Sequence, residues 1–190
     1  MSRGNVLYSD FNCPFCYAMH ERLHEMNLLN RCEWRGVQHA PHLSTPMARW
    51  SGTLGAELRH EVTLVQRLAP GLAISLPPGK PNTRRAIELA ASLLRQDVGR
   101  GMEFVQQAYR AFWCEGQDLS DPTVLNRLVQ EIEGQPATRD PGDMSPVRLV
   151  DQWEEEWRAT GQSGVPLLVA PDGGQLVGLA CDNDIQRFLT

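Results

Sequence analysis

The 190-residue sequence predicts an α/β fold: a β-α-β unit at the N-terminal end, a β-β-α unit at the C-terminal end, and a large all-helical block between them. Three observations carry this expectation. The first forty residues switch from strand to helix and back to strand. About a hundred residues in the middle repeat apolar side chains at helical spacing. The last thirty return to two short apolar runs separated by Pro171-Asp172-Gly173-Gly174, a tight-turn signature.

The elements follow in order. Asn5 to Asp10 reads as a strand built on Val6, Leu7 and Tyr8. Cys13 to about Leu29 reads as a helix carrying Tyr17, Met19, Leu23, Met26 and Leu28, and Glu33 to Gln38 as a short strand with Trp34 and Val37. A strand, a helix and a second strand in this order imply a parallel pair joined by a crossover. From His39 to Pro81 the chain is rich in Pro, Ser and Gly, with one helical segment near Ala56 to Leu68. Asn82 reads as the N-cap of a helix carrying Ala86, Ile87, Ala90, Leu93 and Leu94. A further helix carries Phe104, Val105, Ala108, Tyr109 and Phe112. Ser120-Asp121-Pro122 starts the next, which runs through Val124, Leu125, Leu128, Val129 and Ile132 and stops at Gly134. Ser145-Pro146 starts another, through Val150, Trp153 and Trp157 to Gly161. Val165 to Ala170 and Gln175 to Leu179 read as an antiparallel pair, and Asp182 as the cap of a final short helix with Ile185, Phe188 and Leu189. Residues 1–44 and 158–190 are thus assigned to one α/β domain, and 45–157 to an inserted helical domain.

Composition narrows the function classes. Hydrophobic residues make up 42%, which suits a globular chain. The formal net charge of −5 and the scattered Lys and Arg argue against nucleic acid as a principal partner. No run approaches the ~20 apolar residues of a membrane helix. No secretory leader is visible after Met1, and the expected location is the cytoplasm. Of the five cysteines, Cys32, Cys114 and Cys181 are widely separated, as free thiols in a reducing compartment are; Cys181 is expected at a strand end.

The chemistry concentrates at Cys13-Pro14-Phe15-Cys16, placed where the first strand gives way to the first helix. Pro14 suits the first helical position, where its missing N–H is not needed. That puts Cys13 at the helix N-terminus, where unpaired backbone N–H groups and the macrodipole favour an anion. Such settings lower a cysteine pKa from ~8.5 to roughly 3.5–7.5. Cys16 lies one turn on, on the same face, within reach of a disulfide. A C-x-x-C pair is also half of a zinc site, and His20 and His24 at i,i+4 could complete a Cys/His set, but no second C-x-x-C exists. Two inert core thiols are the remaining alternative.

Around this pair the readings are plainer. Asp10 and Asn12 read as turn residues, Asp10 with a secondary role as a nearby acid or base. His39, Pro41 and His42 follow the second strand and could line the same cleft, but a lone loop histidine is usually solvated, and they are left out of the site. Phe15 and Tyr17 could line an apolar groove, whereas Tyr109, Phe112 and Trp113 read as core. Pro166 opens an apolar run, a position that suits a strand start or an irregularity.

With these residues in view the whole chain resembles the DsbA family, most closely its cytoplasmic branch of FrnE-like oxidoreductases and 2-hydroxychromene-2-carboxylate isomerases with kappa-class glutathione transferases. The resemblance rests on Ser9-Asp10-Phe11-Asn12-Cys13-Pro14-Phe15-Cys16-Tyr17, on Asn82-Thr83, on Glu115-Gly116 and Leu119-Ser120-Asp121-Pro122, and on Gly164-Val165-Pro166. It implies a thioredoxin-like fold (β-α-β … β-β-α) with the helical domain inserted. It also implies thiol-disulfide exchange, with Cys13 as nucleophile, Cys16 as resolving thiol and Pro14-Phe15 tuning the pair. It implies a cis peptide before Pro166, with Val165 offering its backbone to a bound peptide or to glutathione. The expected partners are a disulfide-containing protein or small-thiol substrate and a redox partner. No resident cofactor is expected, with glutathione as a possible co-substrate. The alternatives are a glutathione-dependent isomerase or transferase of an aromatic small molecule, in which Asp182 would hold the glutathione amino group, and a non-catalytic chaperone or zinc-binding module. Such isomerases usually carry serine at the nucleophile position and lack the second thiol; both thiols are present here.

Overall fold

A computed structural model describes residues 4–133 and 144–190. Four strands form one mixed sheet in the order β2-β1-β3-β4, with β1 Asn5–Ser9, β2 Cys32–Gly36, β3 Leu167–Val169 and β4 Gln175–Val177. β1 lies inside the sheet. It runs parallel to β2, with Leu7 opposite Trp34, and antiparallel to β3, with Leu7 opposite Leu168. Its last three residues are all buried, which is why it reads as a continuous apolar run rather than an alternating one. β3 and β4 form the expected antiparallel pair, and Gly173 (φ +89°) takes the left-handed conformation in their turn.

The helices are α1 Pro14–Glu25, α2 Leu54–Leu68, α3 Arg84–Gln96, α4 Val98–Trp113, α5 Pro122–Glu133, α6 Ser145–Ala159 and α7 Asp182–Leu189. α1 supplies the β1-to-β2 crossover, and α2 to α6 fall between β2 and β3. One hydrophobic cluster runs from Leu7, Trp34 and Leu168 of the sheet into Phe104, Tyr109 and Phe112 of α4 and Trp153 of α6. Close approach fixes two glycines. A Cβ on Gly36 would meet Ile87 Cγ2 at 2.6 Å, so the close approach of β2 to α3 at this point requires glycine. A Cβ on Gly101 would meet the Leu94 side chain at 2.6 Å, at the α3–α4 contact. Arg84 ties α3 to α6 through Asp151 (2.6 Å) and Glu154 (3.3 Å), while also pairing with Glu88 on its own helix.

The boundaries differ from the sequence reading at several places, among them β2, which spans Cys32–Gly36 and not Glu33 to Gln38, and β3, which spans Leu167–Val169 and not Val165 to Ala170. α1 stops at Glu25, short of Leu29. Asn27 adopts φ +56°, and Leu28 N–H bonds Leu23 O (2.8 Å) while Asn27 N–H bonds His24 O (3.0 Å). That pair of bonds is a Schellman stop with asparagine in the usual glycine position. The N-cap of α3 is Thr83 and not Asn82, although the Asn82 side chain still accepts from Arg84 N–H at 3.1 Å. The N-cap of α7 is Cys181 and not Asp182, which removes Cys181 from a strand end; β4 closes at Val177. The expected stop at Gly134 lies outside the described residues.

Candidate active site

The sequence Cys13-Pro14 acts locally as anticipated. Cys13 is the N-cap of α1 in an extended conformation (φ −102°, ψ 119°), and Pro14 is the first helical residue. No side-chain oxygen caps this helix, so the electropositive end faces a sulfur. Cys13 retains 6% of its surface and Cys16 none. Both are free thiols within hydrogen-bonding reach of each other. Cys16 also accepts from Asp10 N–H at 3.4 Å.

Their ionisation is driven apart. The Cys16 thiol, by donating to Cys13, is the main force lowering the Cys13 pKa. Burial opposes this, and the nearby charges of His39 and Lys80 reinforce it. Burial is the main force raising Cys16 well above the ordinary value, and its bond to Cys13 adds to that. One cysteine pushed toward ionisation beside one pushed toward the neutral thiol is the asymmetry that a nucleophile and a resolving group require.

A second cluster supports the first. Asp10 is wholly buried and accepts three hydrogen bonds: Thr83 Oγ1 at 2.6 Å, His39 Nδ1 at 2.8 Å and His39 N–H at 3.0 Å. Its own carbonyl accepts from Cys13 N–H at 3.2 Å. Lys80 Nζ lies 3.4 Å from His39 Nε2. Burial pushes the His39 pKa down, but Asp10 more than offsets it and the net direction is upward. Asn12 donates to Pro81 O at 2.9 Å, which pins the loop before Cys13 to the segment leading into α3. From the other side, Trp113 Nε1 donates to Phe11 O at 2.9 Å.

The C-terminal half closes the site. The Cys13 Sγ atom lies 3.5 Å from Val165 O, and the Val165-Pro166 peptide is cis. Pro14 and Pro166 are buried; Phe15 and Val165 are partly exposed around the sulfur. The six residues singled out from the sequence (Cys13, Cys16, Pro14, Phe15, Val165, Pro166) therefore come from two elements that the fold brings together.

Other readings change. His39 is not a solvated loop residue: its side chain is 23% exposed and is locked to Asp10. Asp10 joins three segments and does more than cap its own turn. Tyr17 is core, its hydroxyl donating to Ala73 O at 3.0 Å. Asp182 is engaged by Arg22 at 3.0 Å. His20 is fully buried against the Tyr109 ring. Among the described residues no group of three His, Cys, Asp or Glu side chains is placed to hold a metal. Lys80 and Thr83 were not singled out. Thr83 stands out only in the Asn82-Thr83 dipeptide and Lys80 carries no signal, because their links to Asp10 and His39 are made by the fold.

Residues 6–189 match the DSBA-like thioredoxin domain, and the chain belongs to that family. Among curated proteins it is 23% identical over 132 residues to the uncharacterized protein YwbO of Bacillus subtilis (strain 168), a match spanning 66% of this chain and 64% of that protein, less than two thirds of its length. Solved structures show the same fold. A "probable DsbA oxidoreductase" of Streptomyces coelicolor superposes with a TM-score of 0.69 at 20% identity, covering 98% of this chain and 88% of that one. A 2-hydroxychromene-2-carboxylate isomerase gives 0.69 at 17% identity, covering 96% and 91%. The cytosolic disulfide reductase DsbM of Pseudomonas aeruginosa, solved with GSH, gives 0.63 at 16% identity, covering 97% and 91%.

Proposed function

We propose that this protein is a thiol-disulfide oxidoreductase in which Cys13 is the attacking thiolate and Cys16 the resolving thiol. The observation that carries the reading is the unequal pair: a cysteine at a helix N-terminus that keeps 6% of its surface and is pushed toward ionisation, beside a fully buried cysteine pushed the other way. In the reducing direction Cys13 attacks one sulfur of a substrate disulfide, forming a mixed disulfide, and the released sulfur takes a proton. Cys16 then attacks the Cys13 sulfur; the second substrate thiol leaves and the Cys13–Cys16 disulfide remains. Oxidation of a substrate dithiol is the reverse.

The Val165 carbonyl, 3.5 Å from the Cys13 sulfur, is the backbone acceptor that a bound chain would use in strand addition. A disulfide-containing protein or low-molecular-weight disulfide is the substrate class, and glutathione is the proposed small-thiol co-substrate; the DsbM structure with GSH supports that choice. A cytoplasmic setting is proposed on the same comparison. Among the described residues no helix is long and apolar enough to cross a membrane. The fold is shared with an isomerase, but the second thiol, Cys16, serves disulfide exchange and has no part in a glutathione-dependent isomerisation.

The test is turnover of insulin or oxidised glutathione by wild type, Cys13→Ser and Cys16→Ser. Cys13→Ser is expected to abolish turnover, and Cys16→Ser to accumulate mixed disulfide. Full turnover by Cys13→Ser refutes the assignment.

A further inference from the structure

Reduction of one disulfide consumes two electrons and two protons. In the reactive form proposed above, one thiolate and one thiol, the dithiol carries a single proton. Only Cys16 brings a proton, so the second must come from water or from a group beside the pair.

His39 follows β2, Asp10 follows β1, and Lys80 precedes α3. The imidazole of His39 lies between the carboxylate of Asp10 on Nδ1 (2.8 Å) and Lys80 Nζ near Nε2 (3.4 Å), and Asp10 joins it to Cys13, whose N–H the Asp10 carbonyl accepts at 3.2 Å; the charge of His39 lowers the Cys13 pKa. It is thus exposed to one fixed anion, one fixed cation and one anion, the Cys13 sulfur, that exists only in the reduced protein.

We infer that His39, held by Asp10, is a redox-linked proton site: it carries a proton while Cys13 is a thiolate and releases it when the Cys13–Cys16 disulfide forms. This deepens the proposed dithiol chemistry and rests on it. His39 then supplies the second proton to the extent that its reduced and oxidised midpoints separate, and water supplies the rest. At full separation the reduced form holds the Cys16 thiol proton and the His39 imidazolium proton; the oxidised form holds neither. The two S–H bonds of the reduced substrate account for both protons, and the two thiol sulfurs of the protein supply the two electrons by forming their bond.

Linkage gives the inference its sign. Whatever the imidazolium does to Cys13, the thiolate does in return to His39, and the Cys13 charge indeed acts to raise the His39 pKa. Loss of that charge on oxidation lets the His39 pKa fall, so a proton leaves in the pH interval between the reduced and oxidised midpoints. Lys80 is unchanged by redox state and displaces both midpoints together.

The positioning role is tested by proton NMR titration of the histidine rings in reduced protein, in diamide-oxidised protein and in reduced Cys13→Ser. One of the five histidines is assigned to position 39 by loss of its signal in His39→Gln. The His39 midpoint is expected to be about one unit higher in the reduced protein than in the oxidised one, with Cys13→Ser matching the oxidised form. Coincident midpoints in all three overturn the inference while leaving the dithiol reading intact. Failure of diamide to join Cys13 and Cys16 overturns both. A second readout needs no assignment. The glutathione couple takes two protons per disulfide, and midpoints about one unit apart release at most about half a proton from His39, so wild type is expected to shift toward disulfide by only about threefold per unit of falling pH inside that interval. His39→Gln, carrying one proton fewer, is expected to shift toward disulfide by about tenfold per unit of falling pH. Identical slopes in the two proteins overturn the inference.

Discussion

The Cys13 thiol donates to the carbonyl oxygen of Val165, 152 residues away, at 3.5 Å. The contact joins the first helical turn to the segment that enters β3, and it exists only because β1 lies between β2 and β3. It also makes the two states of the sulfur different for a visitor. As a thiol, Cys13 occupies that carbonyl. As a thiolate it has no proton to give, and Val165 O loses that donor.

Asp10 is expected to contribute more than its turn position suggests. Asp10→Asn weakens a charge-assisted set of three bonds and turns an amide N–H₂ toward a donor. It should cost about 2–3 kcal/mol in urea unfolding and lower the His39 pKa. The sign follows from the raised folded value: the Asp10–His39 contribution is complete below the ordinary histidine pKa and is lost as pH rises through the folded one. Thr83→Val removes only one donor and should cost about 1 kcal/mol. Equal losses in the two variants contradict a charged Asp10–His39 pair.

His20 predicts acid sensitivity. It is buried on α1 against Tyr109, and burial lowers its pKa to about 3. Unfolding exposes an ordinary histidine of pKa ≈ 6.5. The unfolded chain therefore binds the extra proton, and stability should fall as pH drops from about 6.5 toward 3, by up to about 1.4 kcal/mol per pH unit from this residue. His20→Phe should flatten that part of the profile. An unchanged slope in His20→Phe contradicts a neutral buried imidazole.

Ser9 and Tyr109 share a buried hydrogen bond of 2.6 Å between β1 and α4. Tyr109→Phe should destabilise by about 1 kcal/mol or somewhat more, because it strands the Ser9 hydroxyl. The double variant Ser9→Ala with Tyr109→Phe should lose less than the two singles added. Strict additivity in that cycle would show the pair to be uncoupled.

The parts of the fold that local chemistry dictates were legible in the sequence. Cys13-Pro14 fixes the start of α1 because an N-cap and a first-position proline act within one turn. Pro171 to Gly174 fixes the β3–β4 turn for the same reason. The end of α1 was not legible: Leu28 and Leu29 continue the apolar pattern, and only the left-handed Asn27 shows where the helix stops. Thr83 and Asn82, adjacent and both good caps, could not be ordered from letters alone. In the site, the cysteine pair and Val165-Pro166 carried visible signatures. His39, Lys80 and Thr83 did not, since they meet Asp10 or one another across separations of 29, 41 and 73 residues. A lone loop histidine looks the same in sequence whether solvated or locked to a buried carboxylate.

The central claim is that one sulfur is acidic and reachable while its neighbour is neither. Peptide-resolved alkylation of the reduced protein as a function of pH, with fragmentation locating the adduct, measures both at once. Cys13 is expected to react with a midpoint clearly below the ~8.5 of free cysteine, and Cys16 to stay unmodified throughout the neutral range. A Cys13 midpoint at or above that value, or equal labelling of the two positions, would contradict the account.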